Sequence, residues 1–202
     1  RDRHKILTPK YIKFKFRDFN EKKIIQEVQK KLKFPVVIKP INEGSSVSVY
    51  ICKKNNFFSN LKKLRHYDEI LIEKFIPGRE IQVAILGNEK LGVIELKPKR
   101  KFYDYEAKYN PKAKTEHIIP VNISKKNYDK VTSIALKAHK LLKCRGVTRS
   151  DFRFNRNKFY LLETNTQPGM TSLSLVPEIA KYRNISFAQL INKILLDASI
   201  NK

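Results

Sequence analysis

The sequence predicts an α+β fold, and three features of the chain support this prediction. Segments with an apolar stripe at helical spacing alternate with short segments that are apolar throughout or alternate apolar and polar residues. Turn residues at Gly87-Asn88 and Arg156-Asn157 join two pairs of the short segments, which predicts antiparallel hairpins. The 202 residues are 41% hydrophobic and 31% charged, which is enough apolar material for one large domain or two small ones.

Four segments have the spacing of amphipathic helices. In the first, Ile24, Val28 and Leu32 form an apolar stripe, and lysines occupy the other side. Ser124 and Ser186 directly precede two of the segments and are predicted to be their N-caps. The four predicted helices cover residues 20–34, 57–69, 124–143 and 186–199.

The predicted strands are short, and most are bounded by proline, glycine or asparagine. The first 14 residues, RDRHKILTPKYIKF, are interpreted as a linker that enters a further strand. The remaining predicted strands cover residues 35–40, 46–52, 69–75, 80–86, 90–98, 146–155 and 158–165.

The net charge of +24 makes nucleic acid or an anionic membrane a candidate partner. The lysines are scattered and accompany many Ile and Asn residues, which is typical of an A/T-biased coding sequence. A basic nucleic-acid-binding module therefore stays as an alternative of a different class. No apolar run approaches the roughly 18 residues of a membrane span, and no secretory leader is present, so we predict a cytoplasmic protein without a membrane partner. Cys52 and Cys144 have no paired spacing and are predicted to be buried thiols in a reducing compartment.

The stretch LLETNTQPGMT, residues 161–171, ends a predicted strand with two polar side chains. Glu163 and Asn165 are two residues apart and therefore share one face of a strand. Arg149 and Asp151 have the same spacing on the preceding strand, so a hairpin would cluster all four side chains. Two carboxylates and an amide oxygen suit Mg²⁺. The alternative is an ordinary solvated strand end.

Two further stretches suggest nucleotide binding. Lys39 ends a strand and is followed by a small loop with Gly44, Ser45 and Ser46, whose backbone N–H groups could contact phosphates. Residues 70–86 form a strand, a Pro-Gly turn and a second strand, which could offer backbone groups to an adenine edge and Glu80 to a ribose. In both cases the alternative is a plain hairpin. A fourth stretch, residues 101–117, is rich in aromatic and charged residues and is predicted to be a mobile lid that carries Lys108.

These stretches together resemble the D-alanine–D-alanine ligases, a family of ATP-grasp enzymes. The matching features, in family order, are IKPINEGSSV, LIEKFIPGRE, FYDYEAKY, the Arg-Ser-Asp of GVTRSDF, and LLETNTQPGMTSLSLVP. The resemblance implies an ATP-grasp fold, in which two α+β subdomains with mainly antiparallel sheets grip ATP between them. It implies a central subdomain at residues 1–82 with the phosphate loop. The C-terminal subdomain at residues 83–202 would then carry the lid, the metal site and the site for the second D-alanine.

The resemblance also implies a reaction and a role for each site residue. Two D-alanines would be joined at the expense of ATP, through a D-alanyl phosphate, for peptidoglycan precursor synthesis. Asp151, Glu163 and Asn165 would hold two Mg²⁺ ions, with Mn²⁺ as an alternative. Arg149 and the backbone N–H of Gly169 would stabilise the oxyanion, and Ser45 would be a further catalytic residue. Substrate would also contact Tyr109, Ser174 and Leu175. The implied ATP-binding residues are Lys39, Ser45, Ser46, Glu73, Lys74, Ile76, Glu80 and Lys108.

The sequence departs from the family pattern at its start. The family carries an N-terminal domain of about 100 residues ahead of this region, and with it a glutamate that binds the first D-alanine and would couple to Ser45 and Tyr109. The only methionine here is Met170, so we interpret the chain as a partial sequence. The resemblance implies a homodimer for the full-length enzyme. A related ligase that uses D-lactate or D-serine as second substrate is the alternative within the family.

Overall fold

The computed structural model of the chain describes residues 5–44, 46–98 and 115–198. These residues form two compact units. The four-stranded unit comprises Pro9–Ile76 with Pro98 and Thr115, and the five-stranded unit comprises residues 5–8, Pro77–Lys97 and residues 116–198. The division after Ile76 differs from the predicted boundary at residues 82 and 83, because Arg79–Leu86 is one continuous strand of the second sheet.

The four-stranded unit contains an antiparallel sheet with the strand order β1-β4-β2-β3. Two helices, α1 and α2, accompany the sheet, and short 3-10 turns at Phe16–Asp18 and Lys54–Asn56 precede them. The strands are β1 Tyr11–Lys15, β2 Val36–Pro40, β3 Tyr50–Cys52 and β4 Glu69–Lys74, and the helices are α1 Glu21–Lys31 and α2 Phe57–Lys63.

Helix α1 forms where the sequence predicted it, and its start is capped. The Asn20 side chain accepts a hydrogen bond from the Lys23 N–H at 3.0 Å, which satisfies one backbone donor of the first turn. Ile24 and Val28 are buried in one core with residues of α2 and with alternate residues of the sheet, such as Ile38 and Ile72. Each fully buried side chain of this kind contributes about 1.5–3 kcal/mol through the hydrophobic effect. The helices therefore cover one face of the sheet, and Lys39 and Glu73 point to the other.

The five-stranded unit contains an antiparallel sheet with the strand order β7-β6-β5-β8-β9. The first described residues, 5–8, belong to this unit, and the Leu161 N–H donates to the Leu7 carbonyl oxygen at 2.8 Å. The strands are β5 Arg79–Leu86, β6 Glu89–Lys97, β7 Glu116–Ile118, β8 Val147–Asn155 and β9 Lys158–Asn165, and the helices are α3 Lys125–Leu141, α4 Leu175–Tyr182 and α5 Phe187–Asp197.

Different helices pack on the two faces of this sheet. Helix α3 packs Val131 and Ala135 against Ile81, Val83 and Phe152, and these residues share one buried core. On the opposite face, α4 lies against β6, where a Cβ atom added to Gly92 would come within 2.6 Å of Ile179. That opposite face is polar along β5, β8 and β9, and this is where the candidate site lies.

Most predicted elements are present, and two are shorter than predicted. The predicted strand at residues 46–52 is reduced to Tyr50–Cys52, because Ser46 and Ser48 adopt positive φ angles of 61° and 57° and turn the chain. The predicted helix at residues 57–69 ends at Lys63, after which Leu64 N–H bonds to Leu61 with a tighter 3-10 spacing. Strand β7 and helix α4 were not predicted, since three and eight residues are too short to give a clear period.

The cysteine prediction holds for one of the two residues. Cys52 is fully buried, and burial raises the pKa of its thiol to about 11. Cys144 is only partly buried. Both are free thiols. Among the described residues, none of the helices combines the length and the apolar composition needed to cross a membrane.

Candidate functional site

The β8–β9 hairpin brings together four of the predicted site residues. Asp151 lies directly opposite Glu163, and Arg149 lies directly opposite Asn165. All four point away from α3, because Phe152, the neighbour of Asp151 in sequence, is buried in the core on the α3 side. The hairpin and the clustering predicted from the sequence are therefore confirmed.

A β-bulge at Leu162 gives Glu163 its position. Asp151 pairs with Glu163, but the next residue of β8, Phe152, pairs with Leu161, so that Leu162 has no partner on β8. In a regular strand Leu161 and Glu163 would share a face, so that either Leu161 would point away from the core or Glu163 would point into it. Because of the extra residue, Leu161 packs against the α3 core while Glu163 points to the opposite face of the sheet.

Arg149 and Asp151 form a two-point ion pair. The Arg149 Nε and Nη2 groups donate to the two Asp151 carboxylate oxygens at 2.8 and 3.1 Å. Both side chains are largely buried, which strengthens the interaction relative to a surface pair. A cation at Asp151 would therefore have to share this carboxylate with the guanidinium or displace it.

Three further residues of the same face come from β5 and β8. The Arg153 guanidinium donates to Glu80 at 2.5 Å, and the two residues are directly opposite across β5 and β8. Burial lowers the pKa of Arg153, and the Glu80 carboxylate opposes that shift. Gln82 lies opposite Asp151 and is buried. We call the set the polar face: Glu80, Gln82, Arg149, Asp151, Arg153, Glu163 and Asn165.

Sequence reasoning did not single out Gln82 or Arg153. The signal was present in the alternation of two strands, because Glu80 and Gln82 are two residues apart, as are Arg149, Asp151 and Arg153. Once the hairpin is assumed, these residues fall on the same face as Glu163. The prediction did not extend the alternation beyond the carboxylates.

The donor set of the polar face fits a hard cation. Asp151 and Glu163 supply carboxylate oxygens, and Asn165 supplies an amide oxygen, which also accepts the Gln167 N–H at 3.1 Å. Within the described part of the chain there is no group of three or more His, Cys, Asp or Glu residues suited to a metal. A soft or imidazole-bound metal therefore has no matching site among these residues, whereas oxygen donors of this kind suit Mg²⁺.

The segment after β9 leads into helix α4. The Ser174 hydroxyl accepts the Thr171 N–H at 3.0 Å and lies 2.9 Å from the Thr171 hydroxyl, which holds the turn together. Leu175 opens α4, and its side chain is buried. A polar ligand at Leu175 would therefore bind the backbone N–H groups of the first helical turn, which have no partner within the helix.

The surroundings of Gly169, and not its backbone conformation, favour glycine, because its φ angle is not positive. A Cβ atom at this position would lie 2.8 Å from the Ser174 hydroxyl oxygen, so a side chain here would require that hydroxyl group to move. Gly44 has neither a positive φ angle nor a close neighbour.

The four-stranded unit positions a second group of predicted residues. Lys39 on β2 pairs with Glu73 on β4 at 2.8 Å, on the sheet face away from the helices. Lys74 donates to the Lys33 carbonyl oxygen at 3.0 Å, and burial lowers the pKa of Lys74, with a smaller effect from the Lys33 charge. Ile76 follows β4 and is half-buried.

Part of the predicted site lies outside the described residues. Ser45, Lys108 and Tyr109 belong to this part, so their predicted roles stay predictions. Ser46 is described, and its positive φ angle places it in a turn in which Val47 N–H donates to the Gly44 carbonyl oxygen at 3.0 Å.

Comparison with known proteins gives the family. Residues 2–196 match the model of the D-ala D-ala ligase C-terminus family. A D-alanine–D-alanine ligase from Pelagibacter ubique is 67% identical over 99% of this chain and 66% of its own length. Another from Geotalea uraniireducens is 47% identical over 82% of this chain and 54% of its own length. The chain thus spans between about half and two thirds of these relatives.

Solved structures give the same result. A D-alanine–D-alanine ligase from Bacillus anthracis superposes with a TM-score of 0.82 at 33% identity, covering 95% of this chain and 62% of the other. The same ligase solved with ATP gives a TM-score of 0.77 at 27% identity, covering 95% of this chain and 60% of the other. The predicted α+β fold of the ATP-grasp type is therefore confirmed, and the chain belongs to the D-ala D-ala ligase C-terminus family.

Proposed function

We propose that this chain supplies the nucleotide- and metal-binding part of an ATP-dependent ligase that joins two D-alanines into D-alanyl-D-alanine for peptidoglycan precursor synthesis. The observation that carries the proposal is the β8–β9 hairpin, which sets Asp151 opposite Glu163 and Arg149 opposite Asn165. The identity to D-alanine–D-alanine ligases along nearly the whole chain supports the same reaction.

In the first half of the proposed reaction, the γ-phosphoryl group of ATP passes to the carboxylate of the first D-alanine. Such a transfer needs positioning and charge neutralisation more than covalent help. In this proposal Lys39 contacts the phosphates and the loop with Ser46 closes over them. The adenine pocket is lined by Glu73, Lys74 and Ile76, largely through backbone groups, and Glu80 binds the ribose. The partly buried Lys39–Glu73 pair supports the proposal, because it holds a lysine in one place on the sheet face away from the helices.

Asp151, Glu163 and Asn165 hold two Mg²⁺ ions in this proposal, or Mn²⁺ in their place. Bound there, the ions neutralise the phosphate charge that grows during transfer. The two carboxylates and the amide oxygen of this chain bind the ions and fix them relative to the sheet. Arg149 shares the Asp151 carboxylate, so it also limits how much negative charge the face carries before loading.

In the second half, the amine of the second D-alanine attacks the acyl carbon, and phosphate leaves. Arg149 and the Gly169 N–H stabilise the oxyanion of the tetrahedral intermediate in this proposal. The carboxylate of the second D-alanine binds at Ser174 and Leu175. The start of α4 supports that assignment, because free N–H groups of a first helical turn favour an anion.

The remaining predictions form part of the same proposal. Lys108 contacts phosphate from a lid that keeps water away from the acyl phosphate, and Ser45 and Tyr109 orient the substrate. The longer enzyme is a cytoplasmic homodimer that acts on D-alanine and ATP and has neither a membrane nor a nucleic acid as partner.

Calorimetry on the chain as it stands tests the class of function. We expect ATP to bind more tightly with Mg²⁺ than with EDTA, and we expect this gain to disappear in Glu163→Gln. A chain that binds duplex DNA in a salt-sensitive way but shows no Mg²⁺-dependent ATP binding would instead be a basic nucleic-acid-binding module.

A hybrid enzyme tests the reaction itself. The chain would replace the matching part of the Pelagibacter ubique relative, so that the region this chain does not cover is supplied. We expect phosphate release that requires D-alanine and yields the dipeptide. Faster product formation with D-serine or D-lactate as second substrate would instead assign the chain to the related ligases that use one of these substrates. VanG, a D-Ala:D-Ser ligase from Enterococcus faecalis, is a solved example at 29% identity.

A further inference from the structure

Gln82 is the exception in the hydrogen bonding of the polar face. Its side chain is 4% exposed, and its amide oxygen Oε1 has no hydrogen-bond partner. Among the described residues it is the only fully buried side-chain nitrogen or oxygen atom without one. A buried polar atom without a partner destabilises a fold, so its presence calls for an explanation.

Gln82 has an apolar residue on one neighbouring strand and a charged residue on the other. On β5, Gln82 lies directly opposite Ile94 of β6 and directly opposite Asp151 of β8. Ile94 is fully buried, whereas Asp151 is the carboxylate that Arg149 binds. Directly opposite residues have Cβ atoms about 4.5–5.5 Å apart on the same face. Gln82 is therefore the direct cross-strand neighbour, on the same face, of the proposed metal ligand Asp151.

The structure points to a role for this amide in the metal site, and the inference rests on the proposed function. We propose that Gln82 is a positioning residue whose amide oxygen accepts a hydrogen bond from a water molecule bound to the cation that Asp151 and Glu163 hold. The amide oxygen and nitrogen are nearly the same size, so a half-turn of the amide exchanges them with little steric cost. Residues that hydrogen-bond to the ligands of a metal ion orient those ligands and tune the affinity of the site for the metal.

A glutamine suits this role better than the alternatives of similar size. A methionine would fill the same space beside Ile94 but offers no oxygen acceptor. A glutamate would offer an oxygen but would add a third carboxylate beside Asp151 and Glu163. Glutamine supplies an acceptor without adding a charge.

The test measures two quantities on the full chain, its melting temperature in EDTA and the ratio of ATP affinities with Mg²⁺ and with EDTA. For Gln82→Met we expect a melting temperature at or above wild type, because the unpaired oxygen is removed. We also expect the Mg²⁺-dependent gain in ATP affinity to fall by about 10-fold. ATP affinity in EDTA should stay at the wild-type value. For Gln82→Glu we expect the Mg²⁺-dependent gain in ATP affinity to increase, because a carboxylate oxygen is a stronger acceptor for a metal-bound water than an amide oxygen.

Ile94→Met is the matched control. It repacks the apolar side of Gln82 and removes no polar atom, so the Mg²⁺-dependent gain should not change. If Ile94→Met lowers the gain as much as Gln82→Met does, packing explains the effect and the inference is overturned.

The remaining outcomes also decide the question. Suppose that Mg²⁺ increases the ATP affinity of the wild-type chain, that Glu163→Gln abolishes this increase, and that Gln82→Met does not change it. This result overturns the role of Gln82, and the proposed function stands. A wild-type chain with no Mg²⁺-dependent gain overturns the proposed function and this inference with it. If Gln82→Met does not fold, Gln82→Glu decides alone: a Mg²⁺-dependent increase in ATP affinity larger than that of wild type supports the role, and an increase equal to or smaller than that of wild type overturns it.

Discussion

At the scale of single residues, the polar face is organised by charge. Its two guanidinium groups each bind a carboxylate, Arg149 with Asp151 and Arg153 with Glu80. Glu163 lies directly opposite Asp151 across the β8–β9 pair. Replacing Glu163 with Gln removes one of the two proposed carboxylate ligands and leaves the Arg149 and Asp151 side chains unchanged.

Glu163→Gln should lower D-alanine-dependent phosphate release in the hybrid enzyme by at least about 10²-fold, because charge stabilisation at the phosphoryl centre is lost. Release of inorganic phosphate measures the effect. Glu116→Gln, an exposed glutamate on β7, is the control and should stay close to wild type. Near-normal activity of Glu163→Gln would show that Glu163 is not a metal ligand.

Arg149→Ala should reduce turnover by at least about 10²-fold, because the oxyanion it is proposed to stabilise exists only on the reaction path. ATP affinity in EDTA should stay close to wild type. Steady-state kinetics and calorimetry together separate the two effects. Unchanged turnover with weakened ATP binding would reassign Arg149 to the nucleotide site. Arg149→Lys keeps the charge but not the two-point geometry, and it should recover only part of the turnover.

At the scale of elements, the turn into β5 depends on Gly78. Its φ angle is 115°, and a Cβ atom there would overlap the Phe154 carbonyl oxygen. Gly78→Ala should therefore lower the free energy of unfolding by more than about 1 kcal/mol in urea denaturation. Gly44→Ala is the matched control and should change it by less than about 0.5 kcal/mol. Equal stability of the two variants would contradict the steric argument.

The contact between α3 and β8 makes the fold sensitive to acid. The His139 ring lies 2.9 Å from the Thr148 hydroxyl in the interior, and burial lowers the pKa of His139, against the opposing effect of the Asp197 charge. The folded state thus favours the neutral ring. Stability is fully present above the unfolded pKa of about 6.5 and is lost as the pH falls below it. Melting temperatures measured between about pH 7.5 and 5 should fall less in His139→Gln than in wild type; equal slopes would exclude His139 as the cause.

The elements were largely predictable from the sequence, and the site was predictable in part. The alternation of side chains along each strand was enough to predict that Asp151 and Glu163 lie together, because residues two apart share a face on both strands of a hairpin. It could not reveal the bulge at Leu162, since Phe159, Leu161 and Glu163 obey one unbroken period in the sequence but occupy two faces. It also could not reveal why Gly169 lacks a side chain, because the Ser174 hydroxyl that fills the space comes from a turn without periodicity.

At the scale of the whole molecule, the net charge of +24 dominates the electrostatics. Repulsion between scattered lysines disfavours the compact state, and salt screens that repulsion. The melting temperature should therefore rise as NaCl increases from about 50 to about 300 mM. The rise should be smaller when the exposed Lys30, Lys62 and Lys126 are changed to Gln. A melting temperature that falls over this range would contradict the prediction.

The hydrogen bond from Leu161 to Leu7 has a practical consequence for handling the protein. Strand β9 is at the border of its sheet, and an uncovered border strand invites pairing with other chains. The segment around Leu7 occupies the Leu161 donor. A fragment trimmed to begin after Thr8 would present that strand uncovered, beside the partly exposed Leu162. Fragments of this unit should therefore retain residues 5–8 if they are to resist aggregation.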